Sequence, residues 1–375
     1  MKFLLSLFFI LLAFGQLARI SIYPSITVAS YEFVIPFIVL TTLLYVTFDE
    51  TKLRSYFSNN MVRAWSIFLE VLLMSLLFSL HKFTTAQNMV AAAYLIRFAL
   101  YGALFFSLRT VKKNILEQGI HLFTGLTIFF SCVQYFLFPR MQALTKLGWD
   151  PHEFRVFGSF LDVTTTGMIL CLLFFYYLMK HVLIENRRLM SVAVISMLFL
   201  LILLTYSRIT YIGMAVGLIL LMAKKIQIKA VIGIAMAFII GIFILPKLPG
   251  ESTNLQRTFS ISSRIQNMQK GLAYWKDNKV FGVGYNQLSS LVPSSGPYDH
   301  ADSAFSSSYI TILASAGLVG FLASLFLVMR LYMNTSATGK ILVSILAVSS
   351  VFDNVFLMGS VLAVFIPLIA LEDNR

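Results

Sequence analysis

Long apolar runs separated by short polar stretches set the pattern of this chain from residue 3 to residue 371. The runs are continuous. That predicts helices, because a membrane β-barrel alternates apolar and polar positions over short segments. A membrane-crossing helix needs about 20 mainly apolar residues. Twelve segments meet or approach this: 3–20, 26–48, 62–80, 88–108, 119–138, 162–180, 189–206, 209–223, 228–245, 305–331, 339–353 and 355–371. Spans eight and nine are short, and only Asp353-Asn354 divides the last two. Two longer polar segments interrupt the series, 139–161 and 246–304. The expected fold is an all-α polytopic membrane protein. It has about 12 transmembrane helices in a single membrane domain over 1–375, with a large outward loop between spans nine and ten.

Composition agrees. The chain is 58% hydrophobic and 12% charged, with mean hydropathy +0.84, whereas soluble domains carry roughly 25% charged residues. The net charge of +13 would point to nucleic acid in a soluble protein. Here the sidedness of the charges matters more. With the N-terminus inside, the inner connections hold Lys52, Arg54 and Arg63; Arg109, Lys112 and Lys113; Lys180, Arg187 and Arg188; Lys224, Lys225 and Lys229; and Arg330 and Lys340. The short outer ones hold Arg19, Lys82 and Arg208. By the positive-inside rule both termini are cytoplasmic, and the expected location is the cytoplasmic (inner) membrane. The start "MKFLLSLFFILLAFGQ" has some features of a signal peptide, but an uncleaved first span is the blander reading in so apolar a chain. Cys132 and Cys171 lie in apolar segments and make no disulfide framework.

Ionisable residues within spans are functional candidates. Glu32, Glu70 and Arg97 qualify, with Glu70 and Arg97 expected to pair between spans three and four. Such a pair either fixes helix packing or marks an ion path. Arg208 falls in the outer turn "TYSRIT" between spans seven and eight. It either snorkels to headgroups or binds an outer anion through paired hydrogen bonds. In the 246–304 loop, Ser263-x-x-Gln266 is a capping-box pattern. It predicts a helix with Arg264 as its first residue and an apolar face of Ile265, Met268, Leu272 and Trp275. Asn278 and Gly282-Val283-Gly284 are expected to end that helix in a turn. A helix start binds anions and disfavours a lone arginine, so Arg264 suits a bound anion. Arg155 in the 139–161 segment is a third candidate for an anionic head group. His300 and Asp302, just before span ten, are each a possible general base. Asp162 and Asp353 read as solvated ends of spans. Ala314, Ala316, Gly317 and Gly320 form a small-residue packing face. The chain shows no internal repeat and no visible broken-helix pair of the kind transporters use.

Four stretches resemble the O-antigen polymerase and ligase superfamily of bacterial membrane glycosyltransferases: "RVFGSF", "YSRITYIG", "SRIQNMQKGLAYWKDNKVFGVGYN" and "DSAFSSSYITILASAGLVGF". They occur in order over about residues 155–325. The resemblance implies transfer of a glycan from a polyprenyl pyrophosphate carrier to an acceptor hydroxyl at the outer face of the cytoplasmic membrane. It places the pyrophosphate on Arg208 and Arg264. Two arginines and a helix start could hold that leaving group without a metal or other cofactor, and no Asp/His cluster in the sequence looks like a metal site. Ligase-type members resemble "HN" where this chain has Ser306-Ser307, and the start Asp302-Ser303 resembles polymerase-type members. A repeat-unit polymerase is therefore expected ahead of an O-antigen ligase acting on a lipid A-core acceptor, with the base left between Asp302 and His300. The implied partners are the carrier-linked oligosaccharide, membrane lipid, a chain-length regulator and a flippase, and no nucleic acid. A transporter or flippase of lipid-linked oligosaccharide is the reading from another class.

Overall fold

The computed structural model describes residues 1–23, 26–47, 60–142, 152–180, 189–246, 253–255, 259–291 and 304–373. Among these residues thirteen α-helices account for the fold. They are α1 (Lys2–Phe14), α2 (Val34–Thr47), α3 (Asn60–Ser79), α4 (Thr85–Arg109), α5 (Lys113–Leu137), α6 (Val163–Tyr177) and α7 (Leu189–Leu204). There follow α8 (Arg208–Ala223), α9 (Ile228–Ile244), α10 (Phe259–Asp277), α11 (Ser308–Met333), α12 (Ala337–Phe352) and α13 (Gly359–Leu371). All except α10 are apolar. The segments Asn60–Lys82, Thr85–Arg109, Lys113–Leu137, Val163–Lys180 and Ser308–Met333 are long and apolar enough to cross a membrane; seven other apolar helices are shorter. The protein is a helical membrane protein.

Helix starts follow side-chain capping. Thr84 caps α4, with its backbone N–H donating to Gln87 Oε1 at 2.9 Å. Asp162 accepts from Thr165 N at 2.6 Å and so caps α6; it is a cap, not merely a solvated end. α6 is apolar on every side, and Met168 to Tyr176 are at most 1% exposed. It is the central post of the bundle, packed by α7, α8, α12 and α13. Gly217 of α8 lets Phe175 of α6 approach: a Cβ there would lie 2.2 Å from the ring.

The second predicted span begins differently. Arg19–Tyr23 (β1) and Ile26–Ala29 (β2) form an antiparallel hairpin, with Arg19 opposite Ala29 and Ile20 opposite Val28. A 3-10 turn, Ser30–Phe33, then leads into α2. β-branched residues at 20, 22, 26, 27 and 28 favour extended backbone. A two-stranded ribbon has open edges that hydrocarbon does not tolerate, so the hairpin belongs outside it.

α11 is broken. Gly317 has φ 68° and ψ −167° inside it. The groups freed by the break are taken by the segment after α10. Val283 N donates to Ala314 O at 2.9 Å and Gly284 N to Ser315 O at 3.0 Å. In return Leu318 N donates to Lys279 O at 2.9 Å and Val319 N to Val280 O at 3.3 Å. Gly282 has φ 69°, and a Cβ on it would lie 2.4 Å from the Ser315 carbonyl carbon. The Gly-Val-Gly turn and Gly317 thus permit backbone-to-backbone contact that any side chain would block. One helix is therefore broken where the sequence reading took it as a continuous small-residue packing face, and the freed groups at its break are satisfied by a loop of the same chain.

Candidate functional site

The turn between α7 and α8 is built by Thr205-Tyr206-Ser207. Tyr206 has φ 49°, Thr205 Oγ1 accepts from Ser207 N at 3.2 Å, and Ser207 Oγ accepts from Thr210 N at 3.4 Å. Ser207 is the N-cap, so Arg208 is the first residue of α8. The side chain of Arg208 is partly exposed. Its backbone position adds the unsatisfied N–H groups and positive dipole end of a helix start.

Arg155 lies directly beneath this turn. It is 5% exposed. Its Nε donates to Thr205 O at 2.8 Å and its Nη2 to Tyr206 O at 3.0 Å. The backbone around it is fixed by Gln134, whose Oε1 accepts from Phe157 N at 2.9 Å and Gly158 N at 3.1 Å. The carbonyls past the end of α7 lack helical partners, and a guanidinium supplies two donors to them.

Arg264 sits in the second turn of α10, which begins at Phe259 and not at Ser263. Ile261 extends the apolar spacing one turn earlier, so the predicted capping box lies inside the helix. The apolar face also differs: Ile265 is 50% exposed, while packing onto the start of α11 uses Gly271 and Tyr274. A Cβ at Gly271 would lie 2.5 Å from Ile310, so the glycine sets that approach. Arg264 Nη1 lies 2.8 Å from Asp353 Oδ2 and donates to Phe352 O at 2.8 Å. Asp353 is also bound by the start of α11, because Ser308 N donates to its carbonyl at 3.3 Å. Sequence reasoning passed over Asp353 as a solvated end. Its placement between two closely spaced spans was the available signal.

The stretch before α11 is held by the same parts. Ser306 N donates to Asn267 Oδ1 of α10 at 2.6 Å, Ser307 Oγ donates to Ser350 O at 3.1 Å, and Ser307 caps α11. His300 and Asp302 lie outside the described residues.

Arg208 and Asp353 are level with each other. α8 and α12 pack together, and a Cβ at Gly213 would lie 3.3 Å from Ile345 and 3.4 Å from Ser349. Arg208 is five residues before Gly213 and Asp353 is four after Ser349, about 7.5 and 6 Å along the axes. The N-terminus of α8, Asp353 and the Arg264 paired with it therefore share one end of the bundle.

The expected Glu70–Arg97 pair is replaced by Glu32–Arg97. Arg97 donates to Glu32 Oε1 through Nε at 2.9 Å and Nη2 at 2.5 Å, and Tyr101 OH donates to the same oxygen at 2.5 Å. Glu70 is exposed on α3. The helix spacing allows either pairing. The 3-10 turn after the hairpin decides it by swinging Glu32 against α4. The Glu32 side chain is 5% exposed, and a buried carboxylate requires such partners.

Over residues 192–325 the chain matches the family model described as O-antigen ligase. The matched segment runs from α7 into α11 and contains Arg208, Arg264 and the broken helix. No curated protein matches the chain. The match over residues 192–325 supports the O-antigen polymerase and ligase superfamily as the family of this chain.

Proposed function

We propose that the chain is a membrane glycosyltransferase that polymerises polyprenyl-pyrophosphate-linked oligosaccharide repeat units at the outer face of the cytoplasmic membrane, with twelve crossings and both termini inside. The observation that carries this reading is the shared level of Arg208, at the first position of α8, and Asp353 with its paired Arg264. A helix start is an anion site, and Arg208 adds a guanidinium fork to it. Arg264 stands at the same level with a carboxylate that an anion can replace.

In this reading the acceptor hydroxyl attacks the anomeric carbon from the face opposite the carrier. The new glycosidic C–O bond forms as the C–O bond to pyrophosphate breaks, and that electron pair stays on the pyrophosphate. Arg208, the α8 N–H groups and Arg264 stabilise the charge that develops there. The hydroxyl proton passes to a base, for which Asp302 and His300 remain the candidates. Arg155 acts at one remove: it shapes the turn that aims Arg208. Asp353 holds Arg264 until the pyrophosphate takes its place.

The second reading is an O-antigen ligase with a lipid A-core acceptor, favoured by the description of the matching family model. Purified protein incubated with carrier-linked repeat units tests the first reading: a ladder of higher oligomers is expected, and its absence sinks it. In cells the two readings part on the accumulated product. Loss of a polymerase leaves single repeat units attached to the acceptor, and loss of a ligase leaves long polymer on the carrier.

A further inference from the structure

A second charged cluster stands on the same end of the bundle. α4 and α13 run parallel: Gly359 at the start of α13 lies against Arg97, and Arg109 pairs with Asp373 beyond the other end. Arg97 is thus level with the beginning of α13, and the first three turns of α4 project past it. A Cβ at Gly359 would lie 2.7 Å from Arg97 Nη2 and 3.1 Å from Glu32 Oε1, so the glycine leaves room for the pair. Behind it Tyr31 OH reaches Tyr101 OH at 3.3 Å and Ser360 Oγ at 3.4 Å.

A pair that served packing alone would be sealed. This one is closed on the acid side and open on the base side: Glu32 is 5% exposed and Arg97 30%. Three further side chains lie within reach of the pair. Arg19 of β1 lies within electrostatic reach of Glu32, Tyr94 and Arg97, and its burial lowers its pKa. Tyr94 carries the Arg97 guanidinium over its ring, 5.5 Å from the centroid. Tyr285 comes from the loop whose Gly284 is spliced into α11; it too lies within reach of Arg97 and Tyr94, and burial pushes its phenol up. Two arginines against one carboxylate leave a net positive charge. Phenol faces and hydroxyls beside directed guanidinium donors are the chemistry that recognises a saccharide.

We propose that Arg19, Glu32, Tyr94, Arg97 and Tyr285 form a second glycan subsite, which holds the saccharide of the acceptor. The inference rests on the polymerase reading, because a polymerase must hold two carrier-linked glycans at once. Asp353 and Gly359 are six residues apart, at most about 22 Å along the chain. The α12–α13 connection therefore touches the Arg264 partner at one end and this cluster at the other. The loop carries Arg264 to the first site and Tyr285 to the second, so both sites depend on one docked element. The cluster takes no proton and no leaving group. It holds the acceptor so that its hydroxyl faces the donor's anomeric carbon.

The test uses the full chain in lipid nanodiscs and two probes: the oligosaccharide repeat released from its carrier by mild acid, and inorganic pyrophosphate. Arg19→Ala, Tyr94→Ala and Tyr285→Phe are compared with the unaltered protein. Each is expected to weaken oligosaccharide binding about tenfold, the equivalent of ~1.4 kcal/mol, with pyrophosphate binding unchanged. The KM for acceptor is expected to rise with little change in kcat. Oligosaccharide binding equal to that of the unaltered protein in all three variants overturns the subsite, as does failure of the unaltered protein to bind it. If the oligosaccharide binds and the variants lose it while no oligomers form from carrier-linked units, the subsite stands and the polymerase reading falls.

Discussion

Arg264 Nη1 faces both the Phe352 carbonyl and the Asp353 carboxylate, so a pyrophosphate has to compete with a charge already in place. Asp353→Asn removes that competitor. Inorganic pyrophosphate should then inhibit chain extension at roughly fivefold lower concentration, the upper end for a partly exposed ion pair of about 1 kcal/mol. Unchanged or weaker inhibition would show that Asp353 does not guard the arginine. Arg208 is tested by two replacements. Arg208→Ala should slow elongation by about 10²–10³-fold, the usual loss when one donor to a developing oxyanion is removed. Arg208→Lys should recover only a minor part of it, because an ammonium offers no two-pronged fork. Full activity in the lysine variant would reduce the arginine to a point charge.

The elements that reach the site are held by backbone contacts that side-chain patterns do not reveal. Gly317 is the sharpest case: a Cβ there would lie 2.1 Å from Val280 O, and its φ is 68°. Gly317→Ala should therefore undo the splice while leaving the membrane helices inserted. The expected readout is faster external protease cleavage within residues 246–304, with extension lost and total protein level kept. Cleavage at the unaltered rate would mean that the splice does not restrain the loop. Apolar helices were legible because their runs are long and continuous. The break was not, since Ala314, Ala316, Gly317 and Gly320 equally suit a close-packed unbroken helix, and the partner backbone lies some 35 residues earlier in the chain. Glu32 escaped for a similar reason: a hairpin that no apolar count predicts sets its direction. Arg208 and Arg264 were legible as chemistry, but their surroundings were exchanged. The helix-start position belongs to Arg208 and the carboxylate partner to Arg264.

For the whole molecule the proposed topology gives a direct test. In a cysteine-free version, Lys276→Cys should react with a membrane-impermeant thiol reagent on intact spheroplasts, and Lys224→Cys should react only after lysis. Labelling of position 224 in intact cells would invert the arrangement and remove the outward site. The splice at Gly317 has one more consequence, for the order in which the protein is made. Residues 279–284 leave the ribosome before 308–333, so in the proposed topology the loop reaches the far side of the membrane while its docking partner is still unmade. Only after α11 is made can the Val283 and Gly284 N–H groups reach the Ala314 and Ser315 carbonyls. The splice can therefore close only once α11 has been made, and the segment that follows Arg264 and carries Tyr285 docks with it. A chain truncated just before α11 would carry every arginine of the proposed pyrophosphate site and still present no site at all.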